Sequence, residues 1–236
     1  MEETVKDNYV SIIFVHWAQN EERSLLARAS LKSLQSTIHS SSEIIVIDNG
    51  GNLEDSKFFL KECDKKGIAL YIRNADNMHF GFARNQGILA STANWVCVVD
   101  NDIMYKDKWL EMCLSMLKTY PDKKLIASPI NYPYVHKRDP RWRHGTLLVK
   151  GRECSLNERA GSNCMLVRRN VFDEIGMFKI HRIAGSHFTD ALVKSGYLTI
   201  CPEVNWAYDC GLRKGYNFKE MAKAERTLSD GEKINI

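Results

Sequence analysis

The chain has 236 residues, 44% of them hydrophobic and 26% charged, with a formal net charge of +4. That composition excludes a fibre or a disordered chain and suits one well-buried α/β domain. The mild basicity falls short of the one-sided charge of a polyanion binder, so it reads as a solvated surface, with an anionic ligand such as a diphosphate or a nucleic acid as the alternative.

The opening Met1–Asn8 is polar and acidic, unlike a secretory signal. No apolar run approaches the ~20 residues of a membrane helix. The expectation is a soluble, cytoplasmic protein. Val10–Val15 reads as a buried strand, and Arg23–Ile38 as a helix with Leu25, Leu26, Ala29, Leu31 and Leu34 near helical spacing. Glu43–Ile47 is a second strand, closed by the turn signal Asp48-Asn49-Gly50-Gly51. Leu53–Lys66 reads as a helix, Leu70–Arg73 as a strand, Phe82–Ala90 as a helix and Trp95–Val99 as a strand. Lys108–Leu117 follows as a helix with Trp109, Leu110, Met112, Cys113 and Leu117 inward, then Leu125–Ala127 as a strand. After Ser128 the rhythm changes. Asn131–Gly145 reads as a long surface loop, Ser162–Val167 as a strand, Asn170–Ile175 as a short helix ended by Gly176, Asp190–Lys194 as another, and Leu198–Cys201 as a strand. From Gly211 onward the polar sequence reads as a loosely packed tail.

Seven cysteines occur without a CxxC pair. Cys63, Cys97, Cys113, Cys164 and Cys201 sit among apolar neighbours and read as buried reduced thiols, not zinc ligands.

Strands alternating with helices imply a parallel sheet, whose ligands sit beyond the C-terminal strand ends. Three constellations occupy those ends. Asp100-Asn101-Asp102 offers two carboxylates to one hard cation, Mn²⁺ or Mg²⁺, and to the phosphates bound with it; the alternative is a turn capping the next helix. Asp48 can accept hydrogen bonds from a nucleotide's base or ribose, or simply cap an Asp-Asn-Gly turn. Arg84 near a helix start can meet a phosphate, or be an ordinary surface arginine.

Val10–Trp17, Glu43–Gly50, Gly81–Gly87, Trp95–Asp102 and Ser162–Phe178 resemble, in this order, the blocks of family 2 glycosyltransferases. The resemblance spans about residues 8 to 210. It implies an α/β GT-A fold: a Rossmann-like, mostly parallel sheet with helices on both faces. A nucleotide-binding half over about 8–128 would precede an acceptor half over about 129–210 and a tail over 211–236, all in one domain. It further implies that Val15, His16 and Trp17 lie against the nucleotide base, that Asp48 binds the base and Asp100 the ribose side, and that Asp102 and Asp209 hold the metal. The catalytic base would fall in Gly185–Asp190. Asp190 is the only acidic residue between Glu174 and Glu203, and His187 is the substitute.

The implied reaction is inverting, metal-dependent transfer of a sugar from a nucleoside diphosphate donor, UDP first with GDP and dTDP open, to a carbohydrate or other hydroxyl. An oxidoreductase or a sugar-phosphate nucleotidyltransferase would need a glycine-rich turn after the first strand, which Val15–Asn20 lacks. A polymer synthase would carry Gln-x-x-Arg-Trp and membrane helices. Tyr134–His144, with Lys137, Arg138, Arg141 and Arg143 around Tyr134 and Trp142, reads first as an ordinary exposed loop, with an acceptor loop or a nucleic-acid contact as the alternatives. A non-catalytic polyanion binder and a nucleic-acid acceptor therefore stay as alternatives.

Overall fold

The computed structural model of the protein describes residues 8–39, 41–65, 67–131, 143–158, 161–180 and 184–211. Its elements are β1 (Val10–His16), α1 (Glu21–Thr37), β2 (Ser42–Asn49), α2 (Leu53–Asp64), β3 (Leu70–Asn74), α3 (Phe80–Ala90), β4 (Trp95–Asp100), β5 (Ile103–Tyr105), α4 (Trp109–Thr119), β6 (Leu125–Ala127), β7 (Arg143–Val149), β8 (Arg152–Asn157), β9 (Cys164–Arg168), α5 (Asn170–Ile175), α6 (Ala184–Lys194), β10 (Leu198–Pro202) and β11 (Ala207–Asp209).

Every position of β1 is buried, and its alternating side chains feed two cores. Ile12 and Phe14 meet Leu31 and Leu34 of α1, Phe59 of α2 and Trp109 of α4. Ile13 and Val15 meet Ala83 and Ile88 of α3, Phe172 of α5, and Phe188 and Leu192 of α6. Helices therefore cover both faces, which explains why the central strands are apolar at nearly every residue. Asn20 and Asn52 cap α1 and α2 by accepting the N–H of Arg23 at 3.0 Å and of Asp55 at 2.8 Å. The Asn20 cap starts α1 two residues ahead of the apolar pattern and leaves Leu25 on the outer face, 55% exposed.

Nine strands form one sheet in the order β3-β2-β1-β4-β9-β6-β10-β8-β7. Seven run one way; β8 and β9 oppose them. Because β9 threads between β4 and β6, strands from both halves of the chain share this sheet. The C-terminal ends of β1 to β4 and the N-terminal end of β9 lie along one edge.

Three segments depart from the sequence reading. The loop expected over Asn131–Gly145 gives way at Arg143 to β7, which pairs with β8 around Lys150-Gly151. Both turn residues have positive φ, 49° and 76°, the conformation of a tight hairpin turn. β7 is an exposed edge strand, so it carries no apolar alternation to announce it. The two-stranded sheet β5–β11 was also illegible, since three residues each are too few to show a period. Finally, α6 begins at Ala184, which puts Asp190 inside the helix and not at its cap. Gly185 and Ser186 are weak helix formers; the turn they occupy is held by tertiary packing, with Phe188 stacked on Phe178 at 4.1 Å.

Among the described residues, six of the seven cysteines are buried free thiols and Cys63 is half-buried. Burial pushes the Cys113 and Cys164 thiols well above their ordinary value, as an inert core role requires. No helix of the described residues is long and apolar enough to cross a membrane.

Candidate active site

Each residue of the Asp100-Asn101-Asp102 turn is fastened to a different part of the fold. The Asp100 N–H donates to the Asn163 carbonyl, just ahead of β9, at 2.7 Å. The Asn101 side-chain amide donates to the Trp17 carbonyl at 3.1 Å and to His16 Nδ1 at 3.2 Å. The Cys210 N–H donates to the Asp102 carbonyl at 2.7 Å. The helix-capping alternative fails, because β5 intervenes and the cap residue of α4 is Lys108.

Pairing of β5 with β11 sets Asp209 opposite Ile103, beside Asp102. A Cβ on Gly211 would lie 2.6 Å from Asp102 Oδ2 and 2.8 Å from Asp209 Oδ1. The two carboxylates thus converge on the space that the missing side chain leaves. Asp209 is braced by the Gly211 N–H at 2.9 Å and by the Asn163 amide at 2.8 Å. No group of three or more His, Cys, Asp or Glu gathers for a metal among the described residues. Two carboxylates are nevertheless the set that Mg²⁺ or Mn²⁺ commonly takes when diphosphate oxygens and water complete its shell. The residues present fit such an ion.

Arg84 is no surface arginine. Its side chain is fully buried, ion-paired with Asp100 Oδ1 at 2.7 Å, and its guanidinium lies 3.6 Å over the Phe80 ring. Burial draws its pKa down, and Asp100 pulls it back. The structure puts Arg84 behind Asp100, paired with that carboxylate and not exposed at the sheet edge.

The expected base-binding end is built differently. Asp48 is fully buried and accepts the Gly51 N–H at 2.8 Å, the Ser56 hydroxyl at 2.7 Å and the Tyr71 hydroxyl at 2.7 Å, with Arg73 Nε 3.4 Å away. That is the Asp-Asn-Gly turn reading, and it leaves the carboxylate no open edge. His16 is likewise fully buried and Val15 nearly so. Trp17, 40% exposed at the end of β1, does offer a ring to a ligand.

His187 and Asp190 lie three residues apart on one face of α6, both half-buried. A Cβ on Gly185 in the first turn of α6 would run into the Ser162 side chain, and the Phe80 ring is its next neighbour. The helix therefore starts against the same sheet edge as the Asp100 turn. Of the basic, aromatic segment Tyr134–His144, Tyr134–Trp142 lie outside the described residues; Arg143 and His144 belong to β7.

Sequence reasoning passed over Asn101 and Asn163 as site residues, and Asp55. The two asparagines are the middle of one quoted motif and the lead-in to another, and an Asx residue beside a carboxylate at a strand mouth is the signal that marks them. Nothing local marks Asp55, whose partners lie 27 or more residues away.

A family model described as glycosyl transferase family 2 matches residues 17–176. The glycosyltransferase AglE of Haloferax volcanii is 25% identical over 235 residues, covering 95% of this chain and 73% of that protein. Among solved structures, the mannosyltransferase PcManGT from Pyrobaculum calidifontis, in complex with GDP-Man and Mn²⁺, superposes with a TM-score of 0.67 at 16% identity. S. aureus TarS 1–349 does so at 0.62 and 12%. The chain is covered to 94% and 85% in these matches but spans only 65% and 60% of those two chains.

Proposed function

The chain belongs to glycosyl transferase family 2 and has the GT-A fold, and on that premise we propose that it moves a sugar, with inversion, from a nucleoside diphosphate sugar to an acceptor hydroxyl at the Asp100–Asp102 edge. The observation that carries this reading is the convergence of Asp102 and Asp209 over Gly211. Those two residues would hold Mg²⁺ or Mn²⁺, whose contribution is to neutralise charge on the leaving diphosphate. Asp100, ion-paired with Arg84 and aimed by it, takes the ribose side. Trp17 stacks on the base. UDP is the first nucleotide to test, and GDP the second because PcManGT binds GDP-Man.

In the transfer, the acceptor oxygen bonds to the anomeric carbon as the bond from that carbon to the diphosphate breaks, and the acceptor's proton passes to Asp190. His187 is the substitute base on the same helix face. The test is nucleotide release from UDP-, GDP- and dTDP-sugars with Mn²⁺ and with chelator. One donor class turned over only with metal is expected. Asp190→Asn should slow transfer by about 10²–10⁴ while donor binding persists. Release unaffected by chelator, or full turnover in Asp190→Asn, contradicts the respective assignment.

A further inference from the structure

A chain of hydrogen bonds, buried at its centre, runs from the surface of α1 to the middle of the Asp100-Asn101-Asp102 turn. Arg28 and the Ser24 hydroxyl, both on α1, hold the two oxygens of Asp55 at 2.7 and 2.6 Å. Asp55 Oδ2 also meets His16 Nε2 at 3.0 Å. Both side chains of this pair, imidazole and carboxylate, are fully buried, and the edge of Phe59 packs on His16 at 4.8 Å between centroids. On its other side, His16 Nδ1 meets Asn101 Nδ2 at 3.2 Å.

The proton inventory of this chain is determined by its ends. The Trp17 carbonyl can only accept, so the Asn101 atom facing it is the NH₂ group. That same NH₂ group faces His16 Nδ1, which must therefore accept. The imidazole proton then sits on Nε2 and is donated to Asp55. The two ends agree on one arrangement: the Trp17 carbonyl and His16 Nδ1 both hold the Asn101 NH₂ group, and Asp55 holds the His16 tautomer that accepts from it.

Asn101 stands between the two carboxylates of the site. Its neighbours are tied by backbone bonds, Asp100 to Asn163 and Asp102 to Cys210. Its own tether is the side chain, to His16 and to the Trp17 carbonyl. Resting on the metal-dependent reading above, we propose that His16 is a positioning residue. Through Asn101 it holds Asp100 and Asp102 at the spacing that a diphosphate and its cation require. Residues that orient ligating groups from behind act in this way, by removing alternative geometries before the ligand arrives.

Two substitutions at His16 separate this role from plain packing. His16→Asn puts an amide oxygen near the Nδ1 position, where it can accept from Asn101, but it cannot reach Asp55. His16→Gln puts an amide nitrogen near Nε2, where it can donate to Asp55, but it offers Asn101 no acceptor. Binding of UDP and of GDP is measured by calorimetry with Mn²⁺ and with chelator, and the melting temperature of each metal-free protein is measured alongside. His16→Gln and the partly exposed Asn101→Ala should each weaken Mn²⁺-dependent nucleotide binding by about ten- to a hundredfold. His16→Asn should keep affinity within a few-fold of the parent although its melting temperature falls. In the double variant His16→Gln/Asn101→Ala, the loss should match that of Asn101→Ala alone, because both remove one link. Parental affinity in Asn101→Ala or in His16→Gln would overturn the proposal, as would losses that add in full. An affinity loss in His16→Asn equal to that in His16→Gln would also overturn it, since packing would then explain both. If the unsubstituted protein itself binds neither nucleotide in a Mn²⁺-dependent way, it is the metal-dependent reading that fails.

Discussion

Two turns of this protein look alike in sequence and are built in opposite ways. Val46-Ile47-Asp48-Asn49-Gly50 and Val98-Val99-Asp100-Asn101-Asp102 each end a buried parallel strand with an Asp-Asn step. At the first, the carboxylate turns inward and is enclosed by the Gly51 N–H, Ser56, Tyr71 and Arg73. At the second, Asp100 and Asp102 stay half-open, and Asp102 points with Asp209 into the gap above Gly211. A strand-end aspartate is thus enclosed or left open according to which donors the rest of the chain brings to it. The comparison can be broken by substitutions that act on stability at one turn and on binding at the other.

The largest effect is expected at the enclosed turn. Asp48→Ala would strand the buried hydroxyls of Ser56 and Tyr71 and the Gly51 N–H. It should lower unfolding free energy by about 3 kcal/mol, read by denaturant titration. A loss below about 1 kcal/mol would show that Asp48 is a ligand-site group after all.

The paired glycines sharpen the same contrast. Gly50 has φ of 81°, and a Cβ there would come 2.5 Å from the backbone carbon of Asp76. Gly50→Ala should therefore destabilise by about 2 kcal/mol. Gly211→Ala places its methyl against carboxylate oxygens and not backbone. Its melting temperature should change little while Mn²⁺-dependent nucleotide affinity falls by about tenfold or more.

Acid sharpens it further. Burial raises the Asp55 carboxyl, but hydrogen bonds from His16, Ser24 and Arg28 more than offset this and bring it from 3.8 down to about 2. A carboxyl depressed in the folded state stabilises above its unfolded value and loses that contribution as pH falls through its folded value. Stability should therefore drop by about 2 kcal/mol between roughly pH 4 and pH 2. Asp55→Asn should lack this step, as equilibrium unfolding across that range would show.

Much of this arrangement was legible in the residues. Apart from β5, the order of strands and helices through Ala127 followed from apolar runs and breakers, and Asp100–Asp102 stood out by position. The convergence of Asp209 on Asp102 depends on three-residue strands with no period to read. The enclosure of Asp48 depends on Tyr71 and Ser56, 23 and 8 residues away, and nothing in the local turn sequence distinguishes it from the open one. Arg84 reads from the sequence as a phosphate contact or an ordinary surface arginine, because its burial is made by Phe80 and Phe178, the latter from a distant segment.

The central claim is that the open turn, with Asp209, binds a nucleoside diphosphate through a divalent cation. Calorimetry of UDP and GDP with Mn²⁺, against the parent protein and Asp102→Asn, tests it most directly. The account predicts binding of one nucleotide that needs Mn²⁺ in the parent and vanishes in Asp102→Asn, with the melting temperature of the metal-free variant preserved. Parental affinity in Asp102→Asn, or binding of equal strength in chelator, would contradict it.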